Sequence, residues 1–382
     1  MSTITQIFAL HFFNDGFLAS IALFLPFISK DLGLSLTQVG FLGSIFSLVG
    51  ILLALPIGTL SHRVGAMKIL VWASLFYSLG FILTGFSTTY LVLVAAFFIA
   101  SIGFGSFHTP AFAEVATLTP KQKKGRVMGD FTAFGEFGRV CLSAFIPYII
   151  VSIGWRNTSF IYAFGAATIF IFFIFNHLKN GKPKVTVDPQ LGNASFLEII
   201  KNPKLVLVLS ITFFDLLASS ALFVFLPFLL IHKGISPSVL GAFTSAFFIG
   251  NLIGKMVLGR LTDLFTNTKV FIAAELLMAI FILLLAYTGS VIGIIVFSII
   301  LGSLTMGTVP IRTTMLSDHH NEKHSLSKAF ALGSLVSSIA TATAPLVLGF
   351  IADHFGIVNA FNATVVFALV AIVPAAVLLK QS

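Results

Sequence analysis

The sequence predicts an all-α membrane protein: twelve transmembrane helices in two parallel six-helix repeats, with both termini on the cytoplasmic side. Three observations predict this. Of the 382 residues, 57% are hydrophobic and only 9% are charged, whereas a soluble domain carries about 25% charged residues. The apolar residues gather in runs of roughly 20 or more, the length that crosses a bilayer as a helix. A phrase near the N-terminus also returns 201 residues further on, Phe12-Phe13 as Phe213-Phe214 and Leu25-Pro26-Phe27 as Leu226-Pro227-Phe228. The runs are apolar on all sides, which excludes the polar–apolar alternation of a membrane β-barrel.

The first bundle, residues 1–178, holds spans predicted near 4–29, 37–61, 67–87, 90–117, 125–151 and 157–178. A polar stretch, 179–203, reads as a cytoplasmic linker, and its segment 195–201 has the pattern of a short amphipathic helix on the membrane surface. The second bundle, residues 204–382, holds spans near 204–231, 236–261, 268–287, 290–316, 325–352 and 356–380. Residues Met1 to Gln6 carry no Lys or Arg, so the basic start of a signal peptide is missing and the first span is expected to be retained.

Orientation follows from the basic residues, which concentrate on cytoplasmic loops. Arg63, Lys68, Lys121, Lys123, Lys124 and Arg126 lie on the side of both termini, as do Lys179, Lys182, Lys184, Lys201, Lys204, Arg260, Lys269, Lys323, Lys328 and Lys380. The opposite side carries Lys30, Arg156 and Lys233. This distribution explains the net charge of +9 without a nucleic-acid partner. The single cysteine, Cys141, excludes an intrachain disulfide and reads as a small core residue.

The repeat continues: Gly40 matches Gly241, Ser44 matches Ser245, Phe46 matches Phe247 and Gly58 matches Gly259. An even number of crossings per copy puts both copies in the membrane the same way up. Two such halves are related by an axis along the membrane normal.

Ionisable groups inside the spans are functional-site candidates because burying a charge in lipid is costly. Asp15 and Asp215 sit in the first and seventh spans, with His11 and Asn14 beside Asp15. The strict mate of Asp215 is Asn14, so the halves are alike but not equivalent. Glu136 and Arg139 share a helix face at i, i+3. They read either as an internal ion pair or as a switchable pair that takes protons and an anionic group. His108 in the fourth span, above Glu114, reads as a packing residue or as part of a site. Lys255 and Arg312 either snorkel to the interface or join Arg139 in a positive site. Asp130 is expected to pair with Arg126. There is no phosphate-binding loop, no zinc-ligand spacing and no enzyme motif, so neither cofactor nor metal is expected. His319, His320 and His324 read as solvated loop residues.

One loop resembles a known family. Gly58-Thr-Leu-Ser-His-Arg63-Val-Gly65-Ala-Met-Lys68 is similar to the signature loop of the major facilitator superfamily of secondary transporters. His62 stands where the family has Asp, and Ala66 where it has a basic residue. The second copy, Gly259-Arg-Leu-Thr-Asp263, keeps the Asp. The resemblance implies gating by Gly58, His62, Arg63, Gly65, Asp130, Gly259 and Asp263, with Gly58 and Gly259 allowing close helix contact and His62 adding pH dependence. It also implies that Glu275, in the ninth span, is peripheral and structural.

A narrower likeness rests on His11-Phe-Phe-Asn14-Asp15 and Gly103-Phe-Gly-Ser-Phe-His108 with Pro110, which look like the fosmidomycin-resistance exporters. The fifth span, Gly135-Glu-Phe-Gly138-Arg139, lacks the Gly-Pro stretch of drug–proton antiporters.

These resemblances imply a secondary active transporter of the bacterial inner or plasma membrane, a monomer among lipids. It would move a small polar or anionic molecule by alternating access, with proton-coupled efflux expected first. Proton-coupled uptake of a metabolite or chelate is the alternative, and a receptor with a transporter fold the third reading. Asp15, Glu136 and Asp215 are the expected proton carriers. His11, Asn14, His108, Arg139, Lys255 and Arg312 are the expected substrate contacts.

Overall fold

The computed structural model describes residues 2–180, 202–318 and 326–381. The predicted surface helix at 195–201 and His319, His320 and His324 lie outside the described residues, as does the side chain of His62. Among the described residues every regular element is helical. The helices are α1 (Thr3–Leu32), α2 (Leu36–Val64), α3 (Ala66–Phe86), α4 (Tyr90–Leu118), α5 (Lys124–Ile153) and α6 (Trp155–Asn180). They continue with α7 (Pro203–Ser219), α8 (Leu222–His232), α9 (Leu240–Leu264), α10 (Asn267–Tyr287), α11 (Val291–Asp318), α12 (Leu326–Phe355) and α13 (Ile357–Gln381). Among the described residues, twelve segments are long and apolar enough to cross a membrane, α7 and α8 together making one of them.

Local chemistry sets the ends. Ser2 starts α1 by accepting from the Thr5 N–H, and Gly33 ends it at φ 64°, a left-handed conformation open to glycine. Gly65, at φ 91°, turns the chain between α2 and α3. The seventh span differs from the predicted single helix: it breaks at Ser220 and Ala221. The Ser220 hydroxyl donates to the Leu216 carbonyl at 2.6 Å, and the N–H groups of Val224 and Phe225 converge on the Ala221 carbonyl, both at 3.1 Å. This tightened turn comes just ahead of Pro227, which has no N–H to give to the ladder.

The chain divides into two compact units. The first comprises Met1–Ser35, Ile45–Asp188 and Ile235–Ser245, and the second Leu36–Ser44, Pro189–Gly234 and Ala246–Ser382.

In the first unit α1 lies along α5, and α3 packs on α4 and α6. Glycines let α1 and α5 meet closely, as small residues do between membrane helices. A methyl group on Gly138 would run into the Phe12 carbonyl, and one on Gly135 would come within 2.6 Å of the His11 ring. Gly138→Ala is therefore expected to force the helices apart and to destabilise by about 1–3 kcal/mol, the usual range for overpacking. A melt of the purified variant in detergent checks this, and an unchanged melting temperature would contradict it.

In the second unit α7 packs on α12 and α13, and α10 packs on α11 and α13. Gly250 and Gly254 bring α9 against α11, where a methyl on Gly254 would collide with the Ser303 backbone. The start of α2 belongs to this unit. Asp353 accepts from the N–H groups of Leu36 at 2.6 Å and Thr37 at 2.7 Å, an acidic cap on a helix N-terminus.

The expectation that Gly58 and Gly259 make close helix contacts is corrected. Among the described residues nothing lies within 4 Å of a methyl built on Gly58, and Gly259 has only Pro310 Cγ, at 4.0 Å. Close approach falls at Gly138 and Gly254 instead, deep in the spans.

Candidate functional site

Each unit sets an arginine against a buried carboxylate. In the first, the α1–α5 contact brings Arg139 to Asp15. Arg139 donates from Nε at 3.1 Å and from Nη2 at 2.9 Å, both to Asp15 Oδ2. The other oxygen, Oδ1, accepts from Asn14 Nδ2 at 3.0 Å. It also faces His108 Nε2 at 3.2 Å and His11 Nε2 at 3.5 Å. Asp15 is 4% exposed and Glu136 1% exposed. Glu136 lies 3.9 Å from Arg139 Nε, so the i, i+3 partner read from the sequence is the more distant carboxylate, and Asp15 is the closer.

Backbone contacts fix the histidine chemistry. His11 Nδ1 lies 2.9 Å from the Phe131 carbonyl, which can only accept, so Nδ1 carries a proton. Neutral His11 therefore turns a bare Nε2 toward Asp15, and His108 Nε2 is left as the ring donor to Oδ1. Phe131 and Phe107 stack on the His11 ring at 4.1 and 5.6 Å. Tyr77 of α3 donates to the Asn14 carbonyl at 3.1 Å. His11, Asp15 and His108 offer ligand atoms within 4.8 Å of one another, a trio that sequence spacing missed because it joins α1 to α4. Asp15 is already bonded to Arg139, so a cation there would have to compete with that guanidinium.

In the second unit Asp215 is 0% exposed. Arg312 Nε lies 2.6 Å from its Oδ2, a close ion pair out of line for a good hydrogen bond. Thr308, one turn before Arg312 on α11, brings its hydroxyl to 3.2 and 3.3 Å from the two Asp215 oxygens. Arg312 thus does not snorkel; it is 6% exposed. Glu275, expected at the periphery, is fully buried and within hydrogen-bonding reach of Asp215. The sequence did signal an ionisable residue inside a span, but not which face of α10 turns toward α7.

The remaining candidates lie elsewhere. Lys255 is half-buried on α9, and Arg63 and Asp263 are exposed. Arg126 and Asp130 are exposed too, 3.8 Å apart, a weak solvated pair. Sequence reasoning passed over Asn251 of α9, which is fully buried with neither amide atom hydrogen-bonded among the described residues. An unpaired buried polar group costs about 1–3 kcal/mol. Asn251→Leu is therefore expected to raise the melting temperature; a fall would show that the amide has a partner.

The family model of the Major Facilitator Superfamily matches residues 7–214 and 208–382. The sialic acid transporter NanX of Escherichia coli K12 is 23% identical over 371 residues, covering 93% of this chain and 88% of that protein. A protein of Staphylococcus epidermidis named "Probable nitrate transporter NarT" is 28% identical over 283 residues, covering 72% of this chain and 71% of that one. Among solved structures, a bacterial homologue of the human lysosomal transporter Spinster superposes with a TM-score of 0.81 at 16% identity, covering 99% and 96% of the two chains. That likeness shows the fold alone. The protein is a multi-pass membrane transporter, not an enzyme, and the chain belongs to the major facilitator superfamily.

Proposed function

We propose that the protein is a proton-coupled carrier of a small anion. It would expose its site alternately to the two sides of the membrane, with residues 1–178 and 204–382 as its six-helix bundles, both termini cytoplasmic, and a monomer as the working form. The observation that carries this reading is the pairing of Arg139 with the buried Asp15 carboxylate. While Asp15 is ionised it occupies the guanidinium. When Asp15 takes a proton, Arg139 is released for an anionic group. Proton and anion then favour each other's binding, and such coupling is reciprocal. Mutual binding suits symport, in which an inward proton gradient draws the anion inward. The relatives named above carry sialic acid and nitrate by name, both acids or their anions, which supports the substrate class.

A second reading is export in exchange for protons. It rests on the His11-Phe-Phe-Asn14-Asp15 motif and its likeness to fosmidomycin-resistance exporters. Exchange requires proton and substrate to compete, a relation the Asp15–Arg139 pair does not favour for an anion.

Transport into proteoliposomes tests both readings, with labelled nitrate and sialic acid as probes and a pH gradient imposed acid outside. The expected result is accumulation above equilibrium that a protonophore abolishes. Flux indifferent to the gradient would remove proton coupling, and gradient-driven expulsion of preloaded anion would favour exchange.

A further inference from the structure

We propose that Glu275 and Asp215 share one proton in the core of the second unit, and that the pair gains and loses a second proton during transport. The exchange rests on the proton-coupled reading above; the shared proton does not.

Glu275 is 0% exposed, and neither of its carboxylate oxygens meets a donor among the described residues. The polar group within its reach is the Asp215 carboxyl. An ionised carboxylate only accepts, so two carboxyl groups in hydrogen-bonding contact need a proton on one of them. Charge gives the same answer. Asp215 and Glu275 face a single cation, Arg312. Without a proton the cluster holds an unpaired negative charge in a site closed to water, and buried charges persist only when paired.

Among the described residues no other donor relieves it. Thr308 has one hydroxyl proton, and besides Asp215 its oxygen lies 3.1 Å from the Thr305 carbonyl. Of the helices packed against α10, α13 carries only Lys380, near its C-terminal end. Apart from Arg312, α11 carries only Asp318, which accepts from Asn267 at 3.0 Å. The ionisable groups facing Glu275 are thus Asp215 of α7 and Arg312 of α11.

One shared proton makes the set neutral, and a second leaves it with one positive charge, on Arg312. Gaining and losing that second proton switches the cluster between a closed ion pair and an anion site. The transfer moves one proton between a Glu275 oxygen and an Asp215 oxygen, and no covalent bond between heavy atoms changes.

Infrared spectroscopy of the full-length protein reads the proton directly, since the carbonyl stretch of a protonated carboxyl stands apart from carboxylate bands. The expected result is such a band at neutral pH, shifted in heavy water and lost in Glu275→Gln. In proteoliposomes the same variant is expected to lose gradient-driven accumulation of nitrate or sialic acid, with a flattened pH profile. Absence of the band in the unaltered protein overturns the shared proton. A band accompanied by full accumulation in Glu275→Gln overturns the exchange. Should Glu275→Gln fail to fold, Asp215→Asn serves: a carboxyl band unmoved by that change overturns the sharing. Failure of proton coupling itself would appear as gradient-independent flux in the unaltered protein, which removes the exchange and leaves the infrared band in place.

Discussion

Arg139→Gln is expected to abolish anion transport and to destabilise the protein by about 3–5 kcal/mol, the range for breaking a buried ion pair by removing one partner. The size follows from what is left behind. Asp15 loses both bonds to its Oδ2, and Glu136 loses the cation 3.9 Å away. Asp15 keeps Asn14 and His108 on Oδ1, which holds the loss within that range.

The double variant Asp15→Asn, Arg139→Gln separates stability from function. It removes the carboxylate together with the cation, so much of the stability is expected to return while transport stays lost. A double-mutant cycle of melting temperatures, run beside transport of labelled nitrate, measures this. The two single changes should be strongly non-additive, as for residues in direct contact. Additive effects would mean that the pair is not an energetic unit. Normal anion transport in Arg139→Gln would remove Arg139 from recognition.

The spans were legible because bilayer thickness and hydropathy fix them with little help from packing. The predicted first span, 4–29, is the helix Thr3–Leu32, and the tenth, 290–316, is Val291–Asp318. The break at Ser220 was not legible. Ala19 holds the position of Ser220 in the first half, and α1 runs unbroken through its own Pro26.

The site was legible in its members and not in its pairings. Asp15, Arg139, Asp215 and Arg312 stand out as charges inside apolar runs. Their partners are set by which helices touch, and the sequence repeat misdirects on that point. The first cluster draws on α1, α4 and α5, while the second draws on α7, α10 and α11. The halves share a fold, yet they place their second carboxylates on helices that do not correspond. A reading by offset finds Asn14 opposite Asp215 and has no route to Glu275.

That asymmetry gives Arg312→Gln a different signature from Arg139→Gln. Asp215 would keep the Thr308 hydroxyl and the proton it shares with Glu275, and the pair would be left with a negative charge that has lost its cation. At neutral pH the loss is therefore expected to reach or exceed the top of the same range, about 5 kcal/mol. The remaining remedy is protons, because two neutral carboxyl groups can bond to each other. The folded variant then binds protons that the unfolded chain releases, so its stability falls as pH rises and recovers as pH falls. Melting temperatures of Arg312→Gln and the unaltered protein should draw together toward acid pH. Those of Arg139→Gln should converge less, since Asn14 and His108 already serve Asp15. A pH-independent gap for Arg312→Gln would show that the Asp215–Glu275 pair does not take up the missing charge. That outcome would assign Arg312 a packing role through its stem instead.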